Sequence, residues 1–284
     1  MTSEPARSSS AVFIHPLADV APGAQLGAGV RIGPFCHVGA DAVLHDNVEL
    51  TSHVSVTGAT TVGAGTRVFP QAVLGCEPQN VKHTGGRTTL TIGQNCVIRE
   101  SVTMHVGTDT SRGATVVGDN CMLMAYSHVA HDCILGNHVT FANGATLAGH
   151  VEIGDHATIA GLSAIHQFVR IGHHAFVGGM TGVAGDVIPY GMVIGNRARL
   201  RGLNVVGLKR AGLSRSELQT LRSAYRMLFD RARTVGENAE AVRAAYGDDP
   251  RVADILDFVT NRGKRIFCVP PVKGSESEDA DPVD

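Results

Sequence analysis

The sequence lacks several features that are typical of common protein classes. Tryptophan is absent and aromatic residues make up 5% of the 284 residues. A narrow protein core cannot accommodate many large aromatic rings, so this composition favours a fold with a narrow core. There is no apolar run of transmembrane length and no signal-peptide pattern, and the formal net charge is only −2. We therefore expect a cytoplasmic protein that neither inserts into membranes nor binds nucleic acid.

Cysteine is present but is not arranged for cross-linking or for metal binding. None of the six cysteines forms a CxxC pair, so neither a disulfide framework nor a zinc knuckle is indicated. Cys36, Cys96, Cys121 and Cys133 fall at positions that the repeat described next directs inward. We interpret them as small hydrophobic residues.

An apolar residue returns at every sixth position through most of the chain. The three runs cover residues 14–74, 92–104 and 117–183, with an interruption between each pair. Neither an amphipathic helix nor an alternating strand has a period of six. Hexapeptide repeats of this kind form the sides of a parallel β-helix, here interpreted as left-handed. Residues 18 positions apart should then stack about 4.8 Å apart along the axis.

A second small or medium side chain precedes each apolar residue by two positions, which fills a narrow prism with one large and one small residue. Glycine often follows the apolar residue, as in Ile32-Gly33 and Ile153-Gly154. We expect these glycines to mark corners where the backbone adopts conformations that a Cβ would obstruct.

The repeat defines the domain organisation. We expect a left-handed parallel β-helix over residues 11–189, with ejected loops at 75–91 and 106–116. Loops that leave so regular a coil usually serve binding or subunit contacts, although tolerated insertion is the alternative. Residues 1–10 and the acidic segment 269–284 are predicted to be disordered.

Residues 190–268 are predicted to form a small helical domain. Ser214 and Glu217 have the spacing of a capping box, and Leu213 and Leu218 that of a hydrophobic staple. Apolar residues then recur at helical spacing from Leu218. Two further helices are predicted around residues 239–245 and 252–260.

His131 and Asp132 are the first candidates for chemistry. Both should point outward from a flat face of the prism, where a histidine has a pocket only if another subunit packs against it. A carboxylate beside the imidazole could orient it as a general base. Gly149 and His150 follow 18 residues later and should stack on this pair, with the Gly149 N–H placed to stabilise an oxyanion. Ordinary surface histidines are the alternative.

The local sequence is more specific than the spacing. The segments Ser127-His128-Val129-Ala130-His131-Asp132-Cys133, Ala142 to His150 and Ile165-His166-Gln167-Phe168 resemble the UDP-N-acetylglucosamine acyltransferases. The resemblance runs from about residue 11 to 265. It implies a homotrimer with active sites between subunits, which performs the first step of lipid A biosynthesis. The donor would be a 3-hydroxyacyl thioester of acyl carrier protein and the acceptor the sugar 3-hydroxyl of UDP-N-acetylglucosamine.

The resemblance also implies a role for individual residues. His131 matches the family's general base, Asp132 its orienting partner and Gly149 the donor to the oxyanion. Transfer would be direct, with no metal, no cofactor and no covalent enzyme intermediate, because the thioester is already activated. The positions that match substrate-binding residues are Gln79, Asn80, Lys82, His128, His150, His166, Gln167, Asn204 and Arg210.

Three positions depart from the family pattern or vary within it. Asn80 stands where relatives often have an aspartate, whose charge would favour the ammonium form of a 3-amino group. Asn80 is therefore compatible with a UDP-3-amino-3-deoxy sugar as acceptor. Ala211 stands where many relatives have a second arginine, so nucleotide phosphate contacts are predicted to be fewer. Gly179 matches the position that limits acyl length, and glycine predicts a longer acyl chain.

Arginine and lysine cluster between residues 197 and 215 without an acidic residue. This cluster predicts docking of an acidic partner such as acyl carrier protein, against the alternative of a solvated basic face. The six basic residues are Arg197, Arg199, Arg201, Lys209, Arg210 and Arg215.

Other functions remain open on the fold alone. A coenzyme A-dependent hexapeptide acyltransferase would share the architecture. A zinc enzyme would need three converging imidazoles, for which His128, His131 and His150 are the candidates. A scaffold without catalysis would leave both loops and the His131–Asp132 pair unexplained.

Overall fold

The computed structural model describes residues 10–261 and 265–271. The described residues form two compact units, which divide between Gly144 and Ala145. The predicted disordered ends, 1–10 and 269–284, lie outside the described residues except for Ser10 and residues 269–271. Among the described residues, no helix combines the length and the apolar character needed to cross a bilayer.

The N-terminal unit consists of short strands, most of them two residues long, that repeat at the hexapeptide spacing. Its strands are β1 Phe13–Ile14, β2 Asp19–Val20, β3 Gln25–Leu26, β4 Arg31–Ile32, β5 His37–Val38, β6 Val43–Leu44, β7 Glu49–Leu50, β8 Ser55–Val56, β9 Ala59–Val62, β10 Arg67–Val68, β11 Val73–Cys76, β12 Thr89–Ile92, β13 Val97–Ile98, β14 Thr103–His105, β15 Ala114–Val117, β16 Met122–Leu123, β17 His128–Val129, β18 Ile134–Leu135 and β19 Thr140–Phe141.

These strands form three parallel sheets, one for each side of the coil. The neighbours in one sheet are β1-β4-β7-β10-β13-β16-β19, in the second β2-β5-β8-β11-β14-β17 and in the third β3-β6-β9-β12-β15-β18. Pairing follows the 18-residue coil, since Phe13 pairs with Arg31 and Asp19 with His37. The unit is therefore a three-sided parallel β-helix.

The C-terminal unit consists of short strands followed by four helices among the described residues. Its elements are β20 Thr146–Leu147, β21 Glu152–Ile153, β22 Thr158–Ile159, β23 Ala164–Ile165, β24 Arg170–Ile171, β25 Phe176–Val177, β26 Gly182–Val183, β27 Gly191–Ile194, β28 Arg199–Leu203, α1 Val205–Arg210, α2 Arg215–Leu228, α3 Val235–Tyr246 and α4 Pro250–Thr260. β27 still pairs in parallel with β25, whereas β28 turns back antiparallel to β27. The boundary at residues 189/190 stays a prediction.

Capping residues explain where the helices begin. Ser214 and Glu217 form the predicted capping box of α2. Thr234 and Glu237 form a second capping box, which starts α3 several residues before the predicted position. Helix α1 was not predicted, because six residues after its N-cap Asn204 are too few to show a helical period.

The hexapeptide side chains fill the core as predicted. Leu74, Met104, Val129 and Phe141 are fully buried, and the four predicted inward cysteines are buried as free thiols. Removing a large buried side chain such as that of Phe141 should cost about 3–5 kcal/mol.

The backbone conformation that we expected at the corner glycines is wrong. Gly33 and Gly154 do not have positive φ; instead, a Cβ at Gly33 would collide with the Thr51 carbonyl of the next coil. Left-handed backbone occurs at other turn positions and is occupied by residues such as Asn47 and Asp132. Asparagine and aspartate tolerate this region better than most residues.

Candidate active site

Two loops leave the coil of the N-terminal unit and meet at their bases. The first, residues 77–88, joins β11 to β12, and the second, residues 106–113, joins β14 to β15. The Val106 N–H donates to the Cys76 carbonyl at 3.1 Å, and the Thr89 N–H donates to the Gly113 carbonyl at 2.9 Å. The two loops are thus fixed to each other where they leave the β-helix.

His131 and Asp132 lie in the turn between β17 and β18. Nδ1 of His131 is 2.8 Å from Oδ2 of Asp132, and Asp132 occupies the left-handed region with φ of 60°. We expected His131 to have no pocket unless another subunit packs against it, but His131 is only 8% exposed and Asp132 is fully buried within a single chain. That expectation is wrong because the two ejected loops contribute groups that contact this pair.

The second loop supplies the hydrogen bonds that a buried carboxylate requires. Thr108 donates to Asp132 Oδ2 from its N–H at 3.1 Å and from its hydroxyl at 2.7 Å. The Gly113 N–H donates to Oδ1 at 3.0 Å. These donors offset the desolvation of the charge, which would otherwise be unfavourable. The negative carboxylate in turn favours the tautomer of His131 that carries hydrogen on Nδ1.

The first loop reaches the other nitrogen of the same ring. The Asn80 side-chain amide nitrogen lies 3.3 Å from His131 Nε2, and Asn80 Oδ1 accepts the Lys82 N–H at 2.9 Å. An amide donor beside Nε2 requires that this nitrogen be the acceptor. Nε2 is therefore the basic atom and lies on the side of the first loop.

Two further histidines surround this pair without carrying charge. The pKa of His128 is lowered to about 4, first by burial and then by His105 and His131. Burial and His131 also lower the pKa of His105. His128 Nδ1 is 2.7 Å from the Thr103 hydroxyl, and the His105 and His128 rings meet edge to face with centroids 5.0 Å apart. Both imidazoles are therefore neutral at neutral pH, whereas the Arg112 guanidinium donates to the Asp132 carbonyl at 3.0 Å.

Several of these residues were not among the sequence candidates. Thr108 and Gly113 gave no signal in the sequence, because their positions depend on how the second loop folds back. His105 ends β14, and the register shift in the pairing of β11 with β14 after Met104 is visible only in the structure.

The remaining predicted residues are distributed over both units. Gln79 and Lys82 are exposed on the first loop of the N-terminal unit. In the C-terminal unit, Gly149 is buried, whereas His166 and Gln167 are exposed. Arg210 is exposed at the end of α1.

Other candidates in the C-terminal unit already have neighbours within it. The His150 ring stacks on Phe168 at 4.4 Å. The Asn204 side chain caps α1 by accepting the Gly207 N–H and also donates to the His174 carbonyl at 3.0 Å. A Cβ at Gly179 would make only an ordinary contact, 3.5 Å from the Gly161 carbonyl.

Family models match both parts of the chain. Residues 186–268 match the second domain of the UDP-N-acetylglucosamine O-acyltransferases, and residues 114–149 match the bacterial transferase hexapeptide model. These matches agree with the repeat and with the helices that follow it.

Relatives that align over nearly all of this chain are also named UDP-N-acetylglucosamine O-acyltransferases. The acyl-[acyl-carrier-protein]–UDP-N-acetylglucosamine O-acyltransferase of Mesorhizobium japonicum is 63% identical over 95% of this chain and 97% of its own length. The enzyme of that name from Brucella ovis is 54% identical over 95% of this chain and 98% of its own. The crystal structure of the UDP-N-acetylglucosamine acyltransferase of Bacteroides fragilis superimposes with a TM-score of 0.87 at 33% identity, over 90% of this chain and 99% of that one. The predicted left-handed parallel β-helix with C-terminal helices is confirmed.

Proposed function

This chain belongs to the UDP-N-acetylglucosamine O-acyltransferase family, and we propose that it transfers a 3-hydroxyacyl group from acyl carrier protein to the 3-position of UDP-N-acetylglucosamine. This acyl transfer is the first step of lipid A biosynthesis. The single observation that carries the mechanism is His131, bound through Nδ1 to a buried Asp132 while Nε2 accepts from the Asn80 amide.

The geometry supports His131 as a general base. In the complex, the sugar 3-hydroxyl would donate to Nε2 in place of the Asn80 amide. As the oxygen attacks the thioester carbonyl, its proton passes to Nε2, and the charge that forms on the ring is balanced by Asp132. Collapse of the tetrahedral intermediate breaks the C–S bond, and the proton on Nε2 protonates the leaving thiolate. Atoms and charge balance without a metal or a covalent enzyme intermediate.

The roles of the other predicted residues are part of the proposal. Gly149 would donate its N–H to the tetrahedral oxyanion. Gly179 would leave room for a long acyl chain, and transfer confined to short donors would contradict this role. The residues proposed to contact substrate are Gln79, Asn80, Lys82, His128, His150, His166, Gln167, Asn204 and Arg210.

A second acceptor is favoured by the same contact. Asn80 is uncharged and lies within hydrogen-bond distance of the base, and His105 and His128 are neutral by virtue of their lowered pKa values. A 3-amino group must be neutral to attack, and a carboxylate at residue 80 would favour its ammonium form. N-acylation of a UDP-3-amino-3-deoxy sugar by the same mechanism is the second candidate.

Donor docking is proposed on the basic cluster between residues 197 and 215. Five of its six basic residues are exposed: Arg197, Arg199, Lys209, Arg210 and Arg215. Acyl carrier protein is an acidic partner, so it would be attracted to this basic surface. The attraction should weaken as salt screens the charges. A KM for acyl carrier protein that does not change between 0.05 and 0.5 M salt, roughly a threefold change in Debye length, would contradict docking here.

We also propose that the protein is a homotrimer in the cytoplasm. Large apolar side chains are exposed at left-handed turns in each unit, with Tyr126 71% exposed in the N-terminal unit and Met180 74% exposed in the C-terminal unit. Exposed apolar side chains of this size are typical of surfaces that another subunit covers. Light scattering of the purified full chain tests the trimer.

The test of function is a direct assay. The purified protein is incubated with 3-hydroxyacyl carrier proteins of graded chain length and either UDP-N-acetylglucosamine or its 3-amino analogue, and products are identified by mass spectrometry. We expect an O-acylated product. A product from the amino sugar alone would establish the second candidate, and no product from either sugar would overturn both.

A further inference from the structure

The middle of the first loop is held by one carboxylate of the second loop. Asp109 Oδ1 lies 3.0 Å from His83 Nδ1, and Oδ2 accepts the N–H groups of Thr84 at 3.1 Å and Gly86 at 3.0 Å. The Thr84 hydroxyl also donates to Oδ2. Three donors from the first loop, the N–H groups of Thr84 and Gly86 and the Thr84 hydroxyl, therefore converge on Asp109 beside the His83 ring.

This contact is closely packed although it lies at the surface. The side chain of His83 is 9% exposed and that of Asp109 16% exposed. A Cβ at Gly86 would lie 2.6 Å from the Asp109 Cβ, so only glycine allows this approach. Gly85, with φ of +91°, turns the chain next to it. Gly85 and Gly86 thus allow the first loop to pack closely against the aspartate at residue 109.

The neighbouring residue in the second loop holds the proposed catalytic pair. Thr108 donates twice to Asp132, which in turn binds His131. Thr108 and Asp109 are consecutive, so one short segment fixes the base and the first loop at the same time. Asn80, which precedes His83 by three residues, then lies 3.3 Å from His131 Nε2.

We propose that Asp109 is a positioning residue that sets the first loop in register with His131, and thereby places Asn80 and Lys82 for the acceptor sugar. The proposal rests on the proposed function for the identity of that acceptor. Asp109 does not touch the reacting atoms; it acts through the backbone of residues 83–86. Its expected effect is therefore on acceptor binding rather than on the basicity of His131.

The charge of Asp109 suits this role. The Thr84 hydroxyl and the Gly86 N–H, with smaller contributions from the Thr84 N–H and His83, lower the pKa of its carboxyl to about 2. The carboxylate is ionised throughout the neutral range, and hydrogen bonds to a charged acceptor are stronger than neutral ones. Asparagine offers one acceptor oxygen in place of two, so it can retain only part of the contact.

The test compares Asp109→Ala, Asp109→Asn and a matched control, Asp119→Ala, in the full-length protein. Asp119 lies in the same unit, and its side-chain carboxylate accepts the N–H of Gln94, a residue outside the first loop, at 2.7 Å. Steady-state kinetics give kcat and the KM for UDP-N-acetylglucosamine, calorimetry gives its Kd, and hydrogen exchange follows the amides of residues 80–88.

For Asp109→Ala we expect the KM and Kd of the sugar nucleotide to rise about tenfold, the size expected for losing a hydrogen bond to a charged group. The amides of Thr84 and Gly86 should exchange faster, and kcat and the pH profile of kcat should change little. Asp109→Asn should fall between Asp109→Ala and the parent, and Asp119→Ala should match the parent.

Three results would overturn the proposal. One is unchanged exchange in the first loop of Asp109→Ala; another is faster exchange with unchanged Kd and KM. The third is a fall in kcat with a shifted pH profile, which would place Asp109 with the base. If the parent binds the sugar nucleotide but transfers no acyl group, the proposed function fails while the calorimetric and exchange arms still test the positioning role.

Discussion

Two clusters of histidines, one in each unit, differ in how their carboxylate is held. In the N-terminal unit, Asp132 is fully buried, receives donors from the second loop and binds His131 at 2.8 Å. In the C-terminal unit, Asp254 of α4 is 49% exposed and lies 3.4 Å from His173 Nε2 and 3.0 Å from the Tyr190 hydroxyl. Burial of the carboxylate, rather than the number of imidazoles, distinguishes the proposed base from a packing contact.

The histidines of the C-terminal cluster also pack on one another. His156 stacks on His174 at 4.7 Å, and His174 stacks on Tyr190 at 5.8 Å. Burial lowers the pKa values of His173 and His174. We interpret this cluster as a structural contact between the strands and α4, which gives a control for each substitution in the N-terminal cluster.

The largest expected effect is that of His131→Ala. Loss of a positioned general base should lower kcat about 10²–10⁴-fold with little change in the melting temperature. His173→Ala is the matched control and should retain kcat within about twofold. Measured rates in which the two variants lose activity equally would remove the distinction between the clusters.

Asp132→Asn should have the next largest effect. Asparagine tolerates the left-handed backbone at residue 132, so the fold should persist. The neutral amide can no longer balance the charge on His131, and kcat should fall about 10²–10³-fold, within the range of an acid–base contribution. Asp254→Asn, assayed in parallel for kcat, should leave transfer unchanged. Activity near that of the parent in Asp132→Asn would show that the orienting carboxylate is dispensable.

The third prediction concerns acid stability. Because the pKa of His128 is about 4 in the folded protein and about 6.5 when unfolded, the unfolded state binds more protons between these values. The free energy of unfolding should therefore fall as pH drops from about 6.5 towards 4, by about 2 kcal/mol between pH 7 and 5 from this group.

Urea titrations at both pH values measure this effect in the parent and in His128→Gln. The glutamine variant should lose less stability on acidification, since it has no group to protonate at this position. His174→Gln, in the other cluster, should change the slope in the same direction, because its pKa is also lowered by burial. An unchanged slope in His128→Gln would mean that His128 is not held neutral.

The sequence predicts the β-helix well because its signal is local and repeated. Each hexapeptide places a buried side chain such as Val56 or Leu74 at the same phase, and the pairing across coils follows from that phase. The glycine expectation failed at Gly33, since periodicity does not separate a left-handed turn from a close approach between coils.

The candidate site was predictable only in part. The sequence placed His131 beside Asp132, and the resemblance added Asn80. The bond between Asn80 and His131 joins residues 51 apart, and the donors from Thr108 lie 24 residues from Asp132. Contacts of this range depend on how the irregular loops fold against the coil, so neither periodicity nor pairwise spacing reveals them.

The smallest expected effect comes from the C-terminal cluster. Tyr190→Phe removes the hydroxyl that donates to Asp254 and keeps the ring that stacks on His174. The pKa of Tyr190 is raised by burial and by Asp254, so the hydroxyl is protonated and acts as the donor. Its loss should lower the free energy of unfolding by about 1 kcal/mol, the usual worth of one hydrogen bond. Urea denaturation measures the stability of the variant, and the transfer assay measures its kcat and KM. A loss of stability with unchanged kcat and KM would show that the cluster is structural. A change in kcat would show that the cluster takes part in the reaction and does not differ from the Asp132 cluster in this respect.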